Sequence, residues 1–104
     1  MENTKQSTIV QSENKWYVSG AVLVDNVTKL LLESSAFDMG EPVFEINFSK
    51  VTDVDTAAIS LMLEWQRRAL AANKKLIFTH LPSNLTSLTA LYGVAEYLPM
   101  SESS

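Results

Sequence analysis

The sequence has no cysteine, one histidine and only three glycines among its 104 residues. Without cysteine there is no disulfide and no thiolate metal site, and the lone His80 supplies no histidine cluster for a metal. Gly20, Gly40 and Gly93 lie too far apart to form a glycine-rich phosphate loop. These absences exclude the common nucleotide-binding motifs, and we expect neither a metal nor a cofactor.

Positive charge and long apolar runs are also scarce. Eight Lys and Arg residues stand against twelve Asp and Glu residues, so the net charge is −4 and no basic face for nucleic acid is visible. No apolar run approaches the ~18 residues of a membrane-spanning helix, and the N-terminus has no apolar signal core. We therefore expect a cytoplasmic protein that does not bind nucleic acid.

Hydrophobic residues make up 46% of the chain, which is enough for one core in a chain of this length. We expect a single domain over residues 1–104, with polar tails at about 1–6 and 100–104. Hydrophobic periodicity predicts the element order β-β-α-β-α-β-α. Such alternation after an opening hairpin predicts an α/β fold in which helices cover a mixed four-stranded sheet.

The predicted boundaries come from turn residues and from changes in hydrophobic period. The segment Met39-Gly40-Glu41-Pro42 separates the first helix from the third strand. The predicted elements are strands 7–11 and 15–19, a helix from its N-cap Asp25 to about Phe37, strand 43–48, helix 56–73, strand 75–79, and a helix from Pro82 and Ser83 to about Gly93. The predicted packing residues are Val27, Leu30, Leu31 and Ser34 on the first helix, and Trp16 and Trp65 elsewhere.

The most informative stretch is VTDVDTAAISLML, residues 51–63, where carboxylates and hydroxyls crowd the point at which a strand becomes a helix. As N-cap, Asp55 can accept a hydrogen bond from the N–H of Ala57 or Ala58, typically worth ~1 kcal/mol. Thr56 is then exposed at the first helical position, beside free N–H groups that favour an anion. Acid–base catalysis needs a pocket and a differently tuned partner for the carboxylates, so we predict no catalytic residue.

The helix that follows carries more apolar surface than a core requires. On a helical wheel its apolar residues cover roughly 200°, against little more than ~100° in a typical surface helix. Leu63 falls only about 20° from Thr56, beside the polar stripe that includes Ser60. Two interpretations stay open: neighbours cover the helix unusually well, or Thr56 is the centre of a docking surface with an apolar rim.

This arrangement resembles the STAS domain, the family of the anti-sigma factor antagonists. Its motif is Asp-Ser-Ser-Gly, in which the hydroxyl after the Asp accepts phosphate, and here Asp55-Thr56-Ala57-Ala58 takes that place. The likeness is closer to the MlaB-type branch, whose motif VDTGG precedes an apolar run, and it extends to SGAVLVDNV (19–27) and LTALYGVAEYLP (88–99). The two alanines depart from the antagonists, because they remove the second hydroxyl and the most permissive backbone position.

The resemblance implies a STAS fold and a non-enzymatic subunit that binds the ATPase (MlaF-like) of an ABC transporter moving phospholipids between the inner and outer membranes. Such a subunit is cytoplasmic, lies at the inner membrane through its complex, and binds no lipid itself. We expect unmodified Thr56 to dock the ATPase. The expected partner-binding residues are Asp55, Thr56, Ala57, Ser60 and Leu63, with a second surface at Asp25, Asn26 and Leu32.

Two other functions stay open. In the first, the chain is an anti-sigma factor antagonist that a kinase switches at Thr56, the candidate phosphoacceptor. Repulsion of the phosphate by Asp53 and Asp55 would then favour release of a partner. In the second, it is a STAS-like sensor of a small ligand such as a nucleotide, although no glycine-rich or basic cradle supports that function.

Overall fold

The computed structural model describes residues 6–37 and 42–100. Within them the order of strands and helices is β-β-α-β-α-β-α, as the periodicity predicts. Of the predicted separator Met39-Gly40-Glu41-Pro42, residues 39–41 lie outside the described residues, and so do residues 1–5 and 101–104 of the predicted tails. The elements are β1 (Ser7–Ser12), β2 (Lys15–Val22), α1 (Val27–Ser34), β3 (Val43–Val54), α2 (Ala57–Ala71), β4 (Lys75–Thr79), α3 (Ser83–Leu91) and a short 3₁₀ helix (Ala95–Tyr97).

The described residues form one four-stranded mixed sheet in the order β1-β2-β3-β4. β1 and β2 form the antiparallel hairpin, while β3 runs parallel to both β2 and β4. The predicted mixed α/β sheet is therefore confirmed. Parallel strands end at the same edge of a sheet, so the turns that follow β2 and β3 lie side by side.

Two strands are longer than the sequence predicts. β2 continues to Val22 and β3 to Val54, because their extensions pair with each other from Ser19↔Lys50 to Val22↔Val54. β4 pairs with β3 only as far as Asn47. The second half of β3 therefore projects beyond β4 and carries the segment before Thr56 to the edge of the sheet.

Gly20 does not end β2, as the sequence pattern predicts, but lies within it at φ +87°. The backbone N–H of Ala21 donates to the carbonyl oxygen of Gln6 at 3.0 Å. A Cβ on residue 20 would lie 2.1 Å from that oxygen. Glycine is thus required by both the backbone angle and the close approach, and the strand continues past it.

The first helix begins and ends inside its predicted range. Asn26, not Asp25, precedes its first residue, and the helix ends at Ser34, not near Phe37. Asn26 is only 7% exposed; its Oδ1 accepts the Leu23 N–H and its Nδ2 donates to Ser7 Oγ, both at 3.3 Å. These bonds fix the turn before the helix, which explains why the helix starts after Asn26.

The predicted inward face of α1 is confirmed, since Leu30 and Ser34 are buried and the other two members pack against the core. Ser34 has a specific role there, because its Oγ accepts a hydrogen bond from Trp65 Nε1 at 2.8 Å. Trp16 meets Trp65 edge-on with ring centroids 5.9 Å apart. Both tryptophans are almost fully buried, which confirms that they are packing residues.

The remaining boundaries differ slightly from prediction. α2 ends at Ala71 and α3 at Leu91, two residues earlier than predicted in each case. Met100 does not begin a tail, because it pairs with Phe78, whose N–H donates to the Pro99 carbonyl at 2.8 Å. Within the described residues, no helix is both long and apolar enough to cross a membrane.

Candidate partner-binding site

The start of α2 is built around the carboxylate of Asp55. Its Oδ1 accepts the Ala57 N–H at 2.9 Å, which confirms the predicted capping bond. Its Oδ2 accepts the backbone N–H of Val24 at 3.1 Å, across the gap between two neighbouring turns. By backbone geometry Thr56 is the residue that precedes the helix, with its φ and ψ already helical. One side chain thus fixes both the helix start and the β2–α1 turn.

The expectation of free N–H groups beside Thr56 is wrong for the first three residues of α2. Besides the Ala57 N–H, the Ala58 N–H donates to the Asp55 carbonyl and the Ile59 N–H to the Thr56 carbonyl, both at 3.0 Å. These are bonds to the third preceding residue, which tighten the first turn and use donors that a plain helix leaves open. The turn therefore has fewer free N–H donors for an anion than the sequence predicts.

Thr56 and Ser60 are exposed on the same side of α2, and Ala57 is half-buried beside them. Leu63, with 37% of its surface exposed, borders this side as the helical wheel predicts. Most of the wide apolar arc is nevertheless covered by the sheet and neighbouring helices. The buried members are Ala58, Ile59, Leu61, Met62, Trp65 and Ala69. Coverage by neighbours thus accounts for most of the arc, and the large apolar side chains left exposed on the helix are Leu63 and Leu70, the latter with 64% of its surface exposed.

The same exposed side carries an ion cluster one turn further along the helix. Glu64 accepts two hydrogen bonds from the Arg67 guanidinium, at 3.0 and 2.6 Å, and one from Arg68 at 3.2 Å. The hydrogen bonds from Arg67, followed by the one from Arg68, lower the pKa of Glu64 from 4.5 to about 2. The charges of this cluster are therefore paired with one another, and the cluster lies further along the helix than the acidic residues at its start.

The second predicted surface is only partly exposed. Asp25 is exposed and Leu32 is 68% exposed, whereas Asn26 is buried with its side chain hydrogen-bonded in the turn. Asn26 is therefore a structural residue and not part of a contact surface. A role for Asp25 and Leu32 in binding stays a prediction.

The contact between Asp55 and Val24 joins residues 31 positions apart, and no local pattern predicts it. Val24 is 67% exposed, yet no local pattern distinguishes it from other surface valines. The parallel pairing of β2 and β3 brings the two turns together. The sequence predicts a mixed sheet but not this pairing, and the predicted ends of both strands fall short of the turns.

Other parts of the described chain offer little for a metal or a small ligand. No group of three or more metal-binding side chains occurs among the described residues. A cleft of about 450 Å³ lies elsewhere and includes Lys15, Glu45 and Thr79, but none of the predicted site residues. The Glu45 carboxylate in this cleft already accepts a hydrogen bond from the Thr79 hydroxyl at 2.5 Å and lies 3.8 Å from the Lys15 ammonium.

A family model described as "Mlab, STAS domain" matches residues 10–100. Because the match spans most of the chain, the chain belongs to the STAS domain family. Within that family it is of the MlaB type, as the description of the matching model states. No curated protein matches the sequence.

Solved structures share the fold at low sequence identity. The chain is similar to the anti-sigma factor antagonist SpoIIAA in its unphosphorylated form, with TM-score 0.68, 15% identity, and coverage of 97% of this chain and 89% of that chain. It is also similar to an anti-sigma factor antagonist from Mycobacterium paratuberculosis, with TM-score 0.63, 16% identity, and coverage of 96% of this chain and 87% of that chain. A third similar structure is a serine-to-glutamate variant of RsbS from Moorella thermoacetica, with TM-score 0.60, 14% identity, and coverage of 95% of this chain and 88% of that chain. These matches confirm the predicted STAS fold.

Proposed function

We propose that this chain is a non-catalytic subunit that binds and supports the ATPase of an ABC transporter moving phospholipids between the inner and outer membranes. It docks through the start of α2, with unmodified Thr56 at the centre of the contact. In this role it is cytoplasmic and lies at the inner membrane only through its complex. The observation that carries the proposal is an exposed Thr56 at a hydrogen-bonded helix start, in a chain of the MlaB type.

The geometry of the helix start favours docking over anion binding. The first N–H groups of α2 already have partners, so a phosphate on Thr56 would gain little from them. At ~6 Å and an effective dielectric near 20, a neighbouring carboxylate opposes each phosphate charge by up to ~3 kcal/mol. Half-buried Ala57 is small enough to let another protein approach the backbone, and Leu63 adds apolar contact area.

The test is the affinity of the purified chain for the ATPase subunit of the same transporter, measured by calorimetry for wild type and Thr56→Glu. We expect the substitution to abolish measurable binding, because it places a further negative charge beside Asp53 and Asp55 in a surface that must lose its water. Thr86→Glu is the matched control, since Thr86 is also exposed near a helix start but lies on α3. Equal affinity of Thr56→Glu and wild type would contradict the docking role.

A second candidate function is that of an anti-sigma factor antagonist switched by phosphorylation at Thr56. It is favoured by the similarity to two structures of such antagonists and by the accessibility of the Thr56 hydroxyl to a kinase. Ala57 and Ala58 weigh against it, because the antagonist motif has Ser and Gly in their places.

Affinity capture from the native host distinguishes the two functions. The tagged chain and its Thr56→Glu variant are compared, and the proteins that co-purify are identified by mass spectrometry. An ABC ATPase that is lost with the variant supports the transporter function. A kinase-like anti-sigma factor, together with phosphate on Thr56, supports the antagonist function and overturns the first.

A further inference from the structure

The β2–α1 turn is held against the start of α2 by side chains, not only by the sheet. Val22 and Val54 are register partners at the ends of the parallel strands β2 and β3. Beyond them, the Asp55 carboxylate accepts the Val24 N–H at 3.1 Å as well as the Ala57 N–H at 2.9 Å. Both carboxylate oxygens are thus used, one for each turn.

The other side of the β2–α1 turn is fixed independently. Asn26 accepts the Leu23 N–H at 3.3 Å and donates to Ser7 at the same distance. A turn held at both ends presents its middle residue in one position. That residue is Val24, with 67% of its surface exposed. Turns usually expose Gly, Asn, Asp or Ser, so an exposed apolar side chain on a turn held by hydrogen bonds is available for contact with another protein.

The charged residues within segments 22–28 and 51–63 are all acidic, namely Asp25, Asp53 and Asp55. Lys29 and Lys50 flank the two segments, and the Lys29 ammonium is paired with Glu33 at 3.0 Å. Opposite charge on a partner gives faster association and fixes the register of an interface. A partner that fits this surface therefore presents an apolar centre with basic side chains around it.

We infer that Asp55 is a positioning residue that holds Val24 beside Thr56, and that these two side chains form one contact surface for an ATPase subunit with a basic-rimmed apolar patch. This inference rests on the proposed function and adds two roles to it. Val24 becomes a contact residue, and Asp55 acts through its hydrogen bonds to the two turns.

The first test compares Val24→Asn with Val10→Asn in calorimetry against the ATPase subunit. Val10 is the matched control, because it is 55% exposed and lies on β1. Removing a buried apolar contact of this size should weaken binding about tenfold or more for Val24→Asn. The control should leave the affinity unchanged. Asparagine is well tolerated in turns, and an unchanged melting temperature shows that the variant is folded.

The second test is a double-mutant cycle that separates positioning from general stability. Asp55→Asn keeps one acceptor oxygen and so keeps at most one of the two bonds. If Asp55 positions Val24, adding Val24→Asn to Asp55→Asn should weaken binding by clearly less than it does in wild type. A purely structural role of Asp55 would lower stability but leave the two effects on binding additive, which would overturn the positioning role.

The third measurement is the dependence of affinity on ionic strength. Wild-type binding should weaken as salt rises, and Asp25→Asn should reduce this dependence, because it removes one charge of the acidic rim. An affinity that does not change with salt would overturn the proposed basic rim of the partner.

These tests distinguish failure of the inference from failure of the proposed function. If wild type does not bind the ATPase subunit at all, the proposed function is wrong and the inferred surface is wrong with it. If wild type binds and Thr56→Glu does not, but Val24→Asn matches Val10→Asn, the proposed function stands and this inference is overturned.

Discussion

The helices α2 and α3 both follow a parallel strand of the sheet, but their starts are fixed in different ways. α2 begins at a carboxylate that bonds its own first turn and a distant turn. α3 begins after Pro82, whose φ of −59° is set by its ring, and no side chain caps it. Leu81, just before, packs against the core. The start of α2 is exposed to solvent, so burial cannot fix it, and the polar side chain of Asp55 fixes it instead.

The two helices also differ in how many of their residues are buried. α2 buries six residues, including Trp65, whereas α3 buries Leu85 and Thr89. The helix with the exposed candidate site is thus also the one most firmly anchored in the core. An exposed surface is held in place when the opposite face of the same helix is well packed, and this lowers the entropic cost of binding.

Truncating the core anchors of the two helices should give the largest effects. We expect Trp65→Ala to lower the free energy of unfolding by about 3–5 kcal/mol. It removes two edge-on aromatic contacts and the hydrogen bond to Ser34. Leu85→Ala should have a smaller effect, since it removes less volume. Urea denaturation of both variants tests this order, and equal losses would show that α2 is not the better anchored helix.

Removing the side chains at the two helix starts should give intermediate and unequal effects. Asp55→Ala loses the capping bond, usually worth about 0.5–2 kcal/mol, together with the bond to the Val24 N–H, so it should cost at least about 1 kcal/mol. Ser83→Ala, at the first residue of α3, should change stability by no more than about 0.5 kcal/mol. Thermal unfolding followed by circular dichroism measures both. A loss at Ser83 as large as that at Asp55 would remove the contrast between the two starts.

The smallest effect is expected from protonation of Glu64 in acid. Of the two helices compared, only α2 can show such an effect, because α3 contains no titratable residue. The pKa of Glu64 is lowered from 4.5 to about 2, mainly by hydrogen bonds from Arg67. Its ionised form therefore stabilises the fold fully above pH 4.5, and this contribution is lost as the pH falls from about 4.5 to about 2. Because the pair is exposed, the change in stability should be small.

Carbon-detected NMR titration of the Glu64 carboxyl measures this directly. We expect a midpoint near pH 2 in wild type. In Arg67→Gln the midpoint should move toward 4.5 without reaching it, because Arg68 still donates to the carboxylate. A wild-type midpoint at the ordinary value would mean that the ion cluster does not persist in solution.

Much of the fold could be predicted because its signals are local. Each helix and strand has its own period, and the capping bond from Asp55 to Ala57 spans only two residues. The predicted end of β3 is too early because Ser49-Lys50 and Thr52-Asp53 are polar and resemble a loop, and that of β2 is too early because Gly20 resembles a break. What extends them is pairing between two distant segments, which a single sequence does not display.

For the candidate site, too, the features with local signals could be predicted and those that depend on distant contacts could not. Exposure of Thr56 follows from the helix start, and its border with Leu63 follows from the helical wheel. Burial of Asn26 and the contribution of Val24 depend instead on contacts between separate turns. Such contacts are set by tertiary structure, so they become visible only when the parallel strands are paired.

Gly20 shows how unevenly the chain can accept change. A Cβ at this position would meet the Gln6 carbonyl at 2.1 Å, whereas one at Gly93, also at positive φ, would meet nothing within 4 Å. In a library that samples every amino acid at each position, folded variants would keep glycine at 20 but admit asparagine at 93. Two glycines that look alike in the sequence thus differ in evolutionary freedom, because only one of them touches a neighbouring strand.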